Sequence, residues 1–390
     1  MNWTNQGILI LLVLVASLAV AETSTPSTTV DCNSGQSLNA TLSKLNKQGP
    51  TTVSVSGTCT EYVQVIGFEN LTLQGSSGAT LLQPTTGTNQ LGLLFIGSSR
   101  SVTLDGFSIQ AGTTGVSAVA IGHGSTDIRL RHLNITGGGS GISIFEQSQV
   151  SIAYVTAQDP GFATLGVYDM SDVHLERSLF QDSTGALWHV GLFVGASHIT
   201  MYGTTISNMQ VGIEGYAGSV IDVLTFTTYY STGGATDVVI NSPAGTNYNG
   251  VSIDGSGSLN VTGAKLVINK PGQTWGGTTG GVLISDSSAM AASTGYLVIS
   301  GSNGQGVMAL NNSHATVTGA TVTGGSHGGL VAANLSSIDV SAGTNLTLVG
   351  GNSVDLFCDP NSTITGSANL SGVPTSQCAN LLTGETVTLP

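Results

Sequence analysis

The sequence predicts an all-β protein: a single-stranded right-handed parallel β-helix of roughly 12 coils with an N-terminal capping helix. Three observations predict it. A pattern of paired apolar positions recurs at nearly constant spacing, and a third short strand precedes each pair. Glycine makes up 55 of 390 residues while charged residues make up only 7%. This composition suits stacked coils, because tight corners need glycine and stacked positions cannot hold like charges.

The repeat unit consists of two apolar positions separated by one residue, a short break, and two more. The first apolar residues of five successive copies are Val102, Ile128, Val150, Val173 and Ile199, at steps of 26, 22, 23 and 26 residues. Another strand starts with glycine nine residues earlier, as Gly141 precedes Val150. Alternation with period two predicts three short strands per coil, separated by turns rich in Gly, Ser, Thr and Asn.

A β-sandwich array is the alternative architecture. It would require hairpin turns of the Asn-Gly or Asp-Gly type every 8–12 residues. The constant period with three strands per unit favours the β-helix instead. The same register aligns Asp286, Asn311 and Asn334, each five residues after its strand glycine. It therefore predicts a ladder of paired side chains at that turn.

The first residues of the chain predict export. An apolar run over 8–20 ends in the small-x-small pattern Ala19-Val20-Ala21, which indicates a signal peptide over 1–21. An uncleaved membrane anchor is the alternative. Residues 22–30 are expected to be a linker and 31–390 the β-helix domain, with caps at 31–60 and 350–390. We expect a secreted protein, extracellular or periplasmic, with no membrane association after cleavage.

Four cysteines lie in two pairs near opposite ends of the predicted rod. Cys32 and Cys59 are close to one end, and Cys358 and Cys378 are close to the other. Coils stacked about 4.8 Å apart keep the ends too distant for any other pairing, so two local disulfides are expected. Free or metal-bound cysteines are the alternative. Apolar residues at 38, 42 and 45 predict an amphipathic helix over 35–48 that caps the first coil.

Composition excludes several classes of protein. The net charge is -13, with only 8 Lys and Arg, which argues against nucleic-acid binding. The low charge and the apolar content of 40% argue against disorder. The sequence predicts no cofactor and no metal site, and it leaves Ca²⁺ open as a possible ligand without supporting it. It does not predict the oligomeric state, nor whether 229–249, which breaks the period, is a functional loop.

Three segments near the N-terminus form a pattern. Ser37-Leu38 is followed by TVSVSGTCTE over 52–61 and NLTLQG over 70–75. This pattern resembles the N-terminal region of pectin-lyase-like right-handed β-helix proteins, in which an aromatic residue usually stands at the position of Cys59. The resemblance covers nearly all of 30–350 as architecture. It implies lyases, glycoside hydrolases, esterases, epimerases, tailspikes or adhesins without choosing among them.

The catalytic motifs of that superfamily are incomplete here. Gly122-His123-Gly124 matches part of the hydrolase motif, but no acidic pair precedes it, so the two carboxylates of glycoside hydrolysis are missing. Asp159 and Asp182 each follow a glutamine, as in the esterase motif, without the partner strand. No aspartate cluster of the pectate-lyase type is visible. Whether the protein is an enzyme, as a polysaccharide lyase or glycoside hydrolase, stays open.

Charge collects in residues 123–222, which hold 12 of the 29 charged residues and 5 of the 7 histidines. Register predicts three columns of side chains in successive coils. They are Asp159, Asp182 and Asn208; Arg129, Ser151, His174, Thr200 and Asp222; and Asp105, Arg131, Ala153, Glu176 and Tyr202. Arg177 is expected to stack on Tyr154 and His132 at the adjacent corner.

The leading hypothesis is a secreted protein that binds or depolymerises a polysaccharide along these columns, because carboxylates, guanidinium groups and aromatic faces suit sugar binding. The predicted catalytic residues are Asp159, Asp182, His174 and Arg177. The predicted substrate-binding residues are Arg129, Arg131, Glu176, Trp188, His189 and Tyr202. The alternative is a non-catalytic, adhesin-like or structural rod, in which these columns are ordinary surface ion pairs and turn ladders.

Overall fold

The computed structural model describes residues 26–87, 91–112, 115–183, 189–224, 236–241, 249–269, 280–293, 296–301, 304–323, 329–347 and 356–371. The predicted signal peptide, Trp188, Cys378 and most of 229–249 lie outside these residues. Across the described ranges, no helix is long and apolar enough to cross a membrane.

The described chain is built almost entirely of short strands. The first of them are β1 (Ser27–Asp31), β2 (Thr51–Ser56), β3 (Thr58–Thr60), β4 (Val63–Ile66), β5 (Leu71–Gly75), β6 (Thr80–Leu82), β7 (Gly92–Gly97), β8 (Thr103–Asp105), β9 (Ser108–Gln110), β10 (Ser117–Gly122), β11 (Ile128–Arg131), β12 (Asn134–Thr136), β13 (Ser140–Ile144), β14 (Gln149–Ala153), β15 (Thr156–Gln158), β16 (Ala163–Val167), β17 (Asp172–Glu176), β18 (Leu179–Gln181) and β19 (Val190–Gly195). The others are β20 (His198–Tyr202), β21 (Thr205–Ser207), β22 (Val211–Tyr216), β23 (Val220–Leu224), β24 (Val238–Asn241), β25 (Asn249–Ile253), β26 (Ser258–Thr262), β27 (Leu266–Asn269), β28 (Gly280–Ile284), β29 (Ala289–Ala292), β30 (Leu297–Ser300), β31 (Gln305–Leu310), β32 (His314–Thr318), β33 (Thr321–Thr323), β34 (Leu330–Ala333), β35 (Ser337–Thr347), β36 (Leu356–Cys358) and β37 (Thr363–Ser371).

The strands stack into three parallel sheets that the chain visits in turn. Sheet 1 is the 12-stranded stack β4, β7, β10, β13, β16, β19, β22, β25, β28, β31, β34 and β36. Sheet 2 runs through β1, β2, β5, β8, β11, β14, β17, β20, β23, β26, β29 and β32, and sheet 3 through β3, β6, β9, β12, β15, β18, β21, β24, β27, β30 and β33. The longer strands β35 and β37 extend both of these stacks. The predicted parallel β-helix is confirmed, with about 11 turns.

Alternation along each strand separates the core from the outer surface. In β17, Val173 and Leu175 point inward and are 1% and 0% exposed, while Asp172, His174 and Glu176 point outward. Each fully buried aliphatic side chain contributes about 1.5–3 kcal/mol. Because this pattern recurs in every coil, the core is one continuous apolar column, and polar chemistry is confined to outer faces and turns.

A column of buried serines runs along the turn before sheet 2, and sequence reasoning missed it. Its members are Ser99, Ser125, Ser148, Ser171, Ser197, Ser219, Ser288, Ser313, Ser336 and Ser362, all at most 6% exposed. In six neighbouring pairs the backbone N–H of one serine donates to the hydroxyl of the serine in the next coil, as Ser148 does to Ser171 at 3.2 Å. The hydroxyls therefore satisfy buried backbone donors.

The serine column has one interruption. Gly257 takes the place of a serine there and donates its N–H to the Ser288 hydroxyl at 3.1 Å. In the preceding coil, the Ser219 hydroxyl has no hydrogen-bond partner within the described residues. The Ser288 hydroxyl thus accepts a backbone hydrogen bond, whereas the Ser219 hydroxyl accepts none in the described part of the chain. Ser219 can therefore serve as an internal control for the column.

Replacing Ser125 with alanine is expected to lower the free energy of unfolding by about 1–3 kcal/mol. Its hydroxyl accepts from Ser99 N at 3.3 Å and donates to Gly122 O at 2.7 Å, so both buried groups would lose their partner. Ser219→Ala is the matched control, with an expected change below about 0.5 kcal/mol. Urea unfolding followed by circular dichroism measures both. Equal losses in the two variants would contradict the role assigned to the column.

The predicted ladder at 286, 311 and 334 is present. Asn311 Nδ2 donates to Asp286 Oδ1 at 2.7 Å, and Asn334 Nδ2 donates to Asn311 Oδ1 at 2.9 Å. The three residues have φ angles of 52°, 55° and 57°. Asn and Asp tolerate this left-handed conformation better than other side chains, so the same residues both form the turn and pair across coils.

The N-terminal helix is shorter than predicted. α1 spans Leu38–Leu42, against the predicted 35–48, and Leu38 and Leu42 are its buried residues. The carboxylate of Glu61 accepts from Leu38 N at 2.6 Å and from the Ser37 hydroxyl at 2.8 Å, which satisfies free groups at the start of the helix. That α1 caps the first coil stays a prediction. Residues 27–30, within the predicted linker, belong to β1, which pairs with β2.

The disulfide between Cys32 and Cys59 is confirmed and closes a sequence separation of 27 residues. Cys59 lies in β3 and is 2% exposed. At the other end Cys358 is also disulfide-bonded. Its predicted partner, Cys378, lies outside the described residues, so that pairing stays a prediction.

Candidate functional site

The outer face of sheet 2 carries two of the predicted columns in the predicted register. One joins Arg129, Ser151, His174, Thr200 and Asp222. The other joins Asp105, Arg131, Ala153, Glu176 and Tyr202. We call the outward side chains of β11, β14, β17, β20 and β23 the polar face. Neighbouring members are about 4.8 Å apart, so a ligand lying along the rod would contact several coils.

Three predicted site residues form one cluster on the polar face. The Tyr202 hydroxyl donates to Glu176 Oε2. His174 Nε2 lies 3.8 Å from the same carboxylate oxygen, and the His174 and Tyr202 rings are 5.6 Å apart between centroids. The structure therefore brings a base, an acid and a phenol together on two adjacent strands.

Burial shifts the pKa values of two members of the cluster. Burial lowers the pKa of His174, and the charges of Glu176 and Asp172 only partly oppose this effect. Burial also raises the pKa of Tyr202, and its hydrogen bond to Glu176 adds to the shift. Near pH 7 the imidazole is therefore neutral and able to accept a proton, while the phenol keeps its proton.

His198 extends the polar face over further coils, and sequence reasoning did not include it. Its Nδ1 lies 2.9 Å from Asp172 Oδ1, and its Nε2 lies 3.0 Å from Asp222 Oδ2. Asn260 Nδ2 donates to Asp222 Oδ1 at 2.8 Å. The signal was available in the sequence, because the repeat aligns His198 directly with Asp172. The outcome is a continuous polar network from β17 to β26.

The corner between sheets 2 and 3 holds the predicted stack of His132, Tyr154 and Arg177, which we call the corner stack. The His132 and Tyr154 rings lie 5.4 Å apart with an interplanar angle of 14°. Arg177 Nη1 donates to the Tyr154 hydroxyl at 2.5 Å, and its guanidinium carbon lies 5.8 Å from the Tyr154 ring centroid. His132 Nδ1 lies 2.8 Å from Asp105 Oδ1. The predicted stacking is confirmed.

The corner stack is held in a strained backbone conformation. His132, Tyr154 and Arg177 have φ angles of 48°, 56° and 45°. The coils before and after place Gly106 and Gly203 at the same corner, with φ of 78° and 60°. A left-handed conformation costs a bulky L-residue about 1–2 kcal/mol. Three consecutive coils therefore keep large side chains where glycine would be less strained.

Asp159, Asp182 and His189 lie elsewhere, at the turn between sheets 3 and 1. Asp182 is 0% exposed, and its Oδ2 lies 2.8 Å from His189 Nδ1. Asp159 has a left-handed backbone conformation, with φ of 55°, and its Oδ1 accepts a hydrogen bond from Ser183 N at 2.7 Å. Strand β18 separates Asp182 from Arg177 along the coil. The four predicted catalytic residues are thus not brought together in one cleft.

The remaining predicted binding residues differ in their surroundings. Arg129 Nη2 pairs with Asp127 Oδ1 at 2.8 Å. Arg131 is exposed on the neighbouring outward position of β11, and within the described residues it has no carboxylate at ion-pair distance. Trp188 lies outside the described residues.

One group of candidate metal ligands occurs in the described part of the chain, formed by Cys32, Cys59 and Glu61. The two cysteines are joined in a disulfide, and Glu61 accepts hydrogen bonds at the start of α1. A disulfide sulfur is not a thiolate ligand. This group is therefore structural.

Sheet 1 carries a second polar feature that sequence reasoning missed. Glu214 points outward from β22, and burial, followed by the charge of Asp254, raises the pKa of its carboxyl group. In the preceding coil, Phe193 occupies the same outward position and packs against Tyr168 with centroids 5.5 Å apart. Extending the column construction to sheet 1 would have found this neighbourhood.

Comparison with known proteins finds similar solved structures but no matching family or sequence. No protein-family model matches the chain, and no curated protein sequence matches it. Similar solved structures include a pectate lyase from Bacillus sp. N165 in complex with trigalacturonate, at 9% identity and a TM-score of 0.38, covering 56% of this chain and 81% of that chain. The Dettilon tailspike protein is 13% identical with a TM-score of 0.42, over 83% of this chain and 62% of that chain.

A third similar structure is the catalytic unit of a GH87 alpha-1,3-glucanase from Streptomyces thermodiastaticus. It is 12% identical with a TM-score of 0.43, covering 91% of this chain and 70% of that chain. The chain has a parallel β-helix architecture, and its polar face and corner stack are the features from which a function can be proposed.

Proposed function

We propose that the protein is a secreted β-helix protein that binds an extracellular polysaccharide along the polar face and the corner stack. The polar face offers carboxylates, imidazoles and hydroxyls in register over several coils, which suits hydrogen bonding to sugar hydroxyls. The corner stack adds aromatic surface at its edge. A linear polymer lying along the rod would contact equivalent positions in successive coils.

The observation that carries the proposal is the strained corner stack. Large side chains at His132, Tyr154 and Arg177 occupy left-handed positions that the flanking coils fill with glycine. This conformation costs stability, but turn residues outside the polar face, such as Met170, share it, so the site is marked by the exposed ring and guanidinium that the conformation presents. Tyr154 is 43% exposed, so burial of its ring does not account for the cost. Contact with a ligand would account for large side chains at these positions.

The cluster of His174, Glu176 and Tyr202 supplies groups for cleavage of a bound glycan. A neutral imidazole can take a proton, and a protonated phenol beside it can give one to a leaving oxygen. We propose His174 as the base and Tyr202 as the proton donor if the bound polymer is cleaved. Arg177 stands at the edge of this cluster, where it would orient the polymer.

Export is part of the proposal. The Cys32–Cys59 disulfide supports an oxidising compartment, and the apolar run over 8–20 supports cleavage of a signal peptide. Expression with a secretion reporter and N-terminal sequencing of the mature protein tests this point. The expected mature terminus is Glu22, and a retained terminus at Met1 would contradict the prediction.

Replacing Tyr154 with glycine is expected to weaken glycan binding about tenfold or more while changing the free energy of unfolding by less than about 1 kcal/mol. Removal of the ring takes away the stacking surface and the support of Arg177, but glycine relieves the left-handed strain. A glycan array identifies the ligand, and isothermal titration then compares the variants. Assays for reducing ends and for unsaturated products establish whether the bound polymer is cleaved.

Met170→Gly is the matched control for this variant. Met170 is also left-handed, with φ of 59°, and is 68% exposed in a turn outside the polar face. Its replacement should relieve similar strain and leave glycan binding unchanged. A protein that binds no polysaccharide on the array would overturn the proposal and favour the structural rod.

A further inference from the structure

Most of the arginines in this chain lie on or beside the polar face. The chain has a net charge of -13 and only 8 Lys and Arg. Three of its four arginines, Arg129, Arg131 and Arg177, lie on or beside the polar face. Arg129 is neutralised by Asp127 at 2.8 Å. Within the described residues, Arg131 and Arg177 have no carboxylate at ion-pair distance.

Nearby carboxylates are already occupied. Asp105 is the register neighbour of Arg131, but its Oδ1 contacts His132 Nδ1 at 2.8 Å. Glu176 precedes Arg177 and accepts from the Tyr202 hydroxyl. The two guanidinium groups are therefore the side chains of this region whose charge is not matched by a direct partner.

The guanidinium of Arg177 is positioned yet largely uncommitted. Nη1 donates to the Tyr154 hydroxyl at 2.5 Å, and this bond is the first cause that raises the pKa of Arg177. Nε is enclosed without a hydrogen-bond partner among the described residues. An arginine carries five N–H donors in a planar fork, which matches the two oxygens of a carboxylate or sulfate. Because Nε is enclosed, an acceptor would approach this guanidinium through its Nη groups.

The two arginines are spaced along the rod. Arg131, Ala153 and Glu176 pair in register, so Arg131 and Arg177 lie two coils apart, about 10 Å at one strand spacing per coil. Between them on the polar face lies Ala153, whose small side chain leaves space above the sheet. The ring of Tyr154 lies beside this space at the corner. This arrangement suits acidic groups that recur along a linear polymer aligned with the rod.

We propose that Arg131 and Arg177 bind carboxylate or sulfate groups of the polysaccharide, so that the ligand of the polar face is a polyanionic glycan. This inference rests on the proposed function and adds the class of ligand to it. The hydroxyl groups of a neutral glycan can also accept hydrogen bonds from these guanidinium groups, but only an acidic group matches their charge and forms the stronger, charge-assisted bonds.

The test compares chemically matched ligands. Polygalacturonate, its fully methyl-esterified form, a sulfated galactan and its desulfated form are titrated into the purified protein at about 50 and about 300 mM salt. We expect the affinity for at least one acidic polymer to exceed that for its neutral counterpart by about tenfold or more. The ratio of the two affinities should be smaller at the higher salt concentration. Poly-aspartate serves as a polyanion without sugar and is expected to bind more weakly.

Variants locate the effect. Arg177→Gln and Arg131→Gln are each expected to reduce affinity for the acidic polymer about tenfold and to reduce the weak affinity for its neutral form much less. Arg177→Lys keeps the charge without the planar fork and should fall between wild type and Arg177→Gln. Arg100→Gln, a change at an exposed arginine outside the polar face, is the control. Thermal unfolding confirms that all variants are folded.

The outcomes separate the inference from the proposed function. Equal affinity for acidic and neutral polymers, or full affinity in folded Arg177→Gln, would overturn the inference and leave glycan binding in place. Poly-aspartate binding as tightly as the acidic glycan would overturn recognition of an acidic sugar polymer in favour of charge alone. Absence of binding to every glycan would overturn both.

Discussion

Asp182→Ala is expected to lower the free energy of unfolding by about 3 kcal/mol or more. Asp182 is 0% exposed, and its Oδ2 lies 2.8 Å from Nδ1 of His189, whose side chain is 14% exposed. Removing the carboxylate leaves the imidazole enclosed without this partner. Urea unfolding of the purified variant, followed by circular dichroism, measures the loss.

Asp182→Asn is the matched variant. Its amide oxygen can still accept from His189, so a smaller loss of about 1 kcal/mol is expected. A graded effect, with alanine worse than asparagine, identifies a structural pair. An alanine variant with an unchanged unfolding midpoint but lost glycan cleavage would instead support the catalytic role that the sequence suggested for Asp182.

Opening the Cys32–Cys59 disulfide is expected to lower the free energy of unfolding by about 3–4 kcal/mol. The bridge closes a loop with a sequence separation of 27 residues, and loop-closure entropy gives a stabilisation of this size. The double variant Cys32→Ala/Cys59→Ala should show the loss, with the greatest increase in amide hydrogen exchange in β1 and β2, which hold the first strand pair.

Cys32→Ala alone serves as its control, because it opens the same loop while keeping the buried thiol of Cys59. Both variants should lose a similar amount, and the double variant slightly more because Cys59 is 2% exposed and its sulfur packs in the core. Treatment of either variant with reductant should cause no further change at this end of the rod. Unchanged midpoints in both variants would contradict the prediction.

The fold could be predicted from the sequence because its determinants are local and repeated. The spacing of Val150 and Val173 places them in register, and the structure pairs them. The same register predicted that Glu176 would neighbour Tyr202 and that Arg177 would stack on Tyr154, and both contacts are present. In a parallel stack, equal offsets in successive coils mean spatial neighbours, so column construction works wherever the period is regular.

The site was predicted less completely, because register fixes which residues are neighbours but not which way a turn residue points. Asp159 and Asp182 follow aligned strands, yet one is left-handed and the other is fully buried. The conformation of a turn residue depends on the length and packing of the turn that follows, and these turns vary between coils. The serine column was missed for a different reason: serine was treated as turn composition rather than as a recurring position.

The serine column lacks a hydroxyl at Gly257, and we expect this gap to mark a boundary between two cooperative units of the rod. On one side the last of the backbone-to-hydroxyl bonds is that from Ser171 to Ser197, and on the other the bonds resume where Gly257 N donates to Ser288. In a solenoid each coil is held only by its neighbours, so the weakest interface is where partial unfolding starts. We expect this rod to open internally at that seam, and the half that carries the corner stack to stay folded while the other half separates.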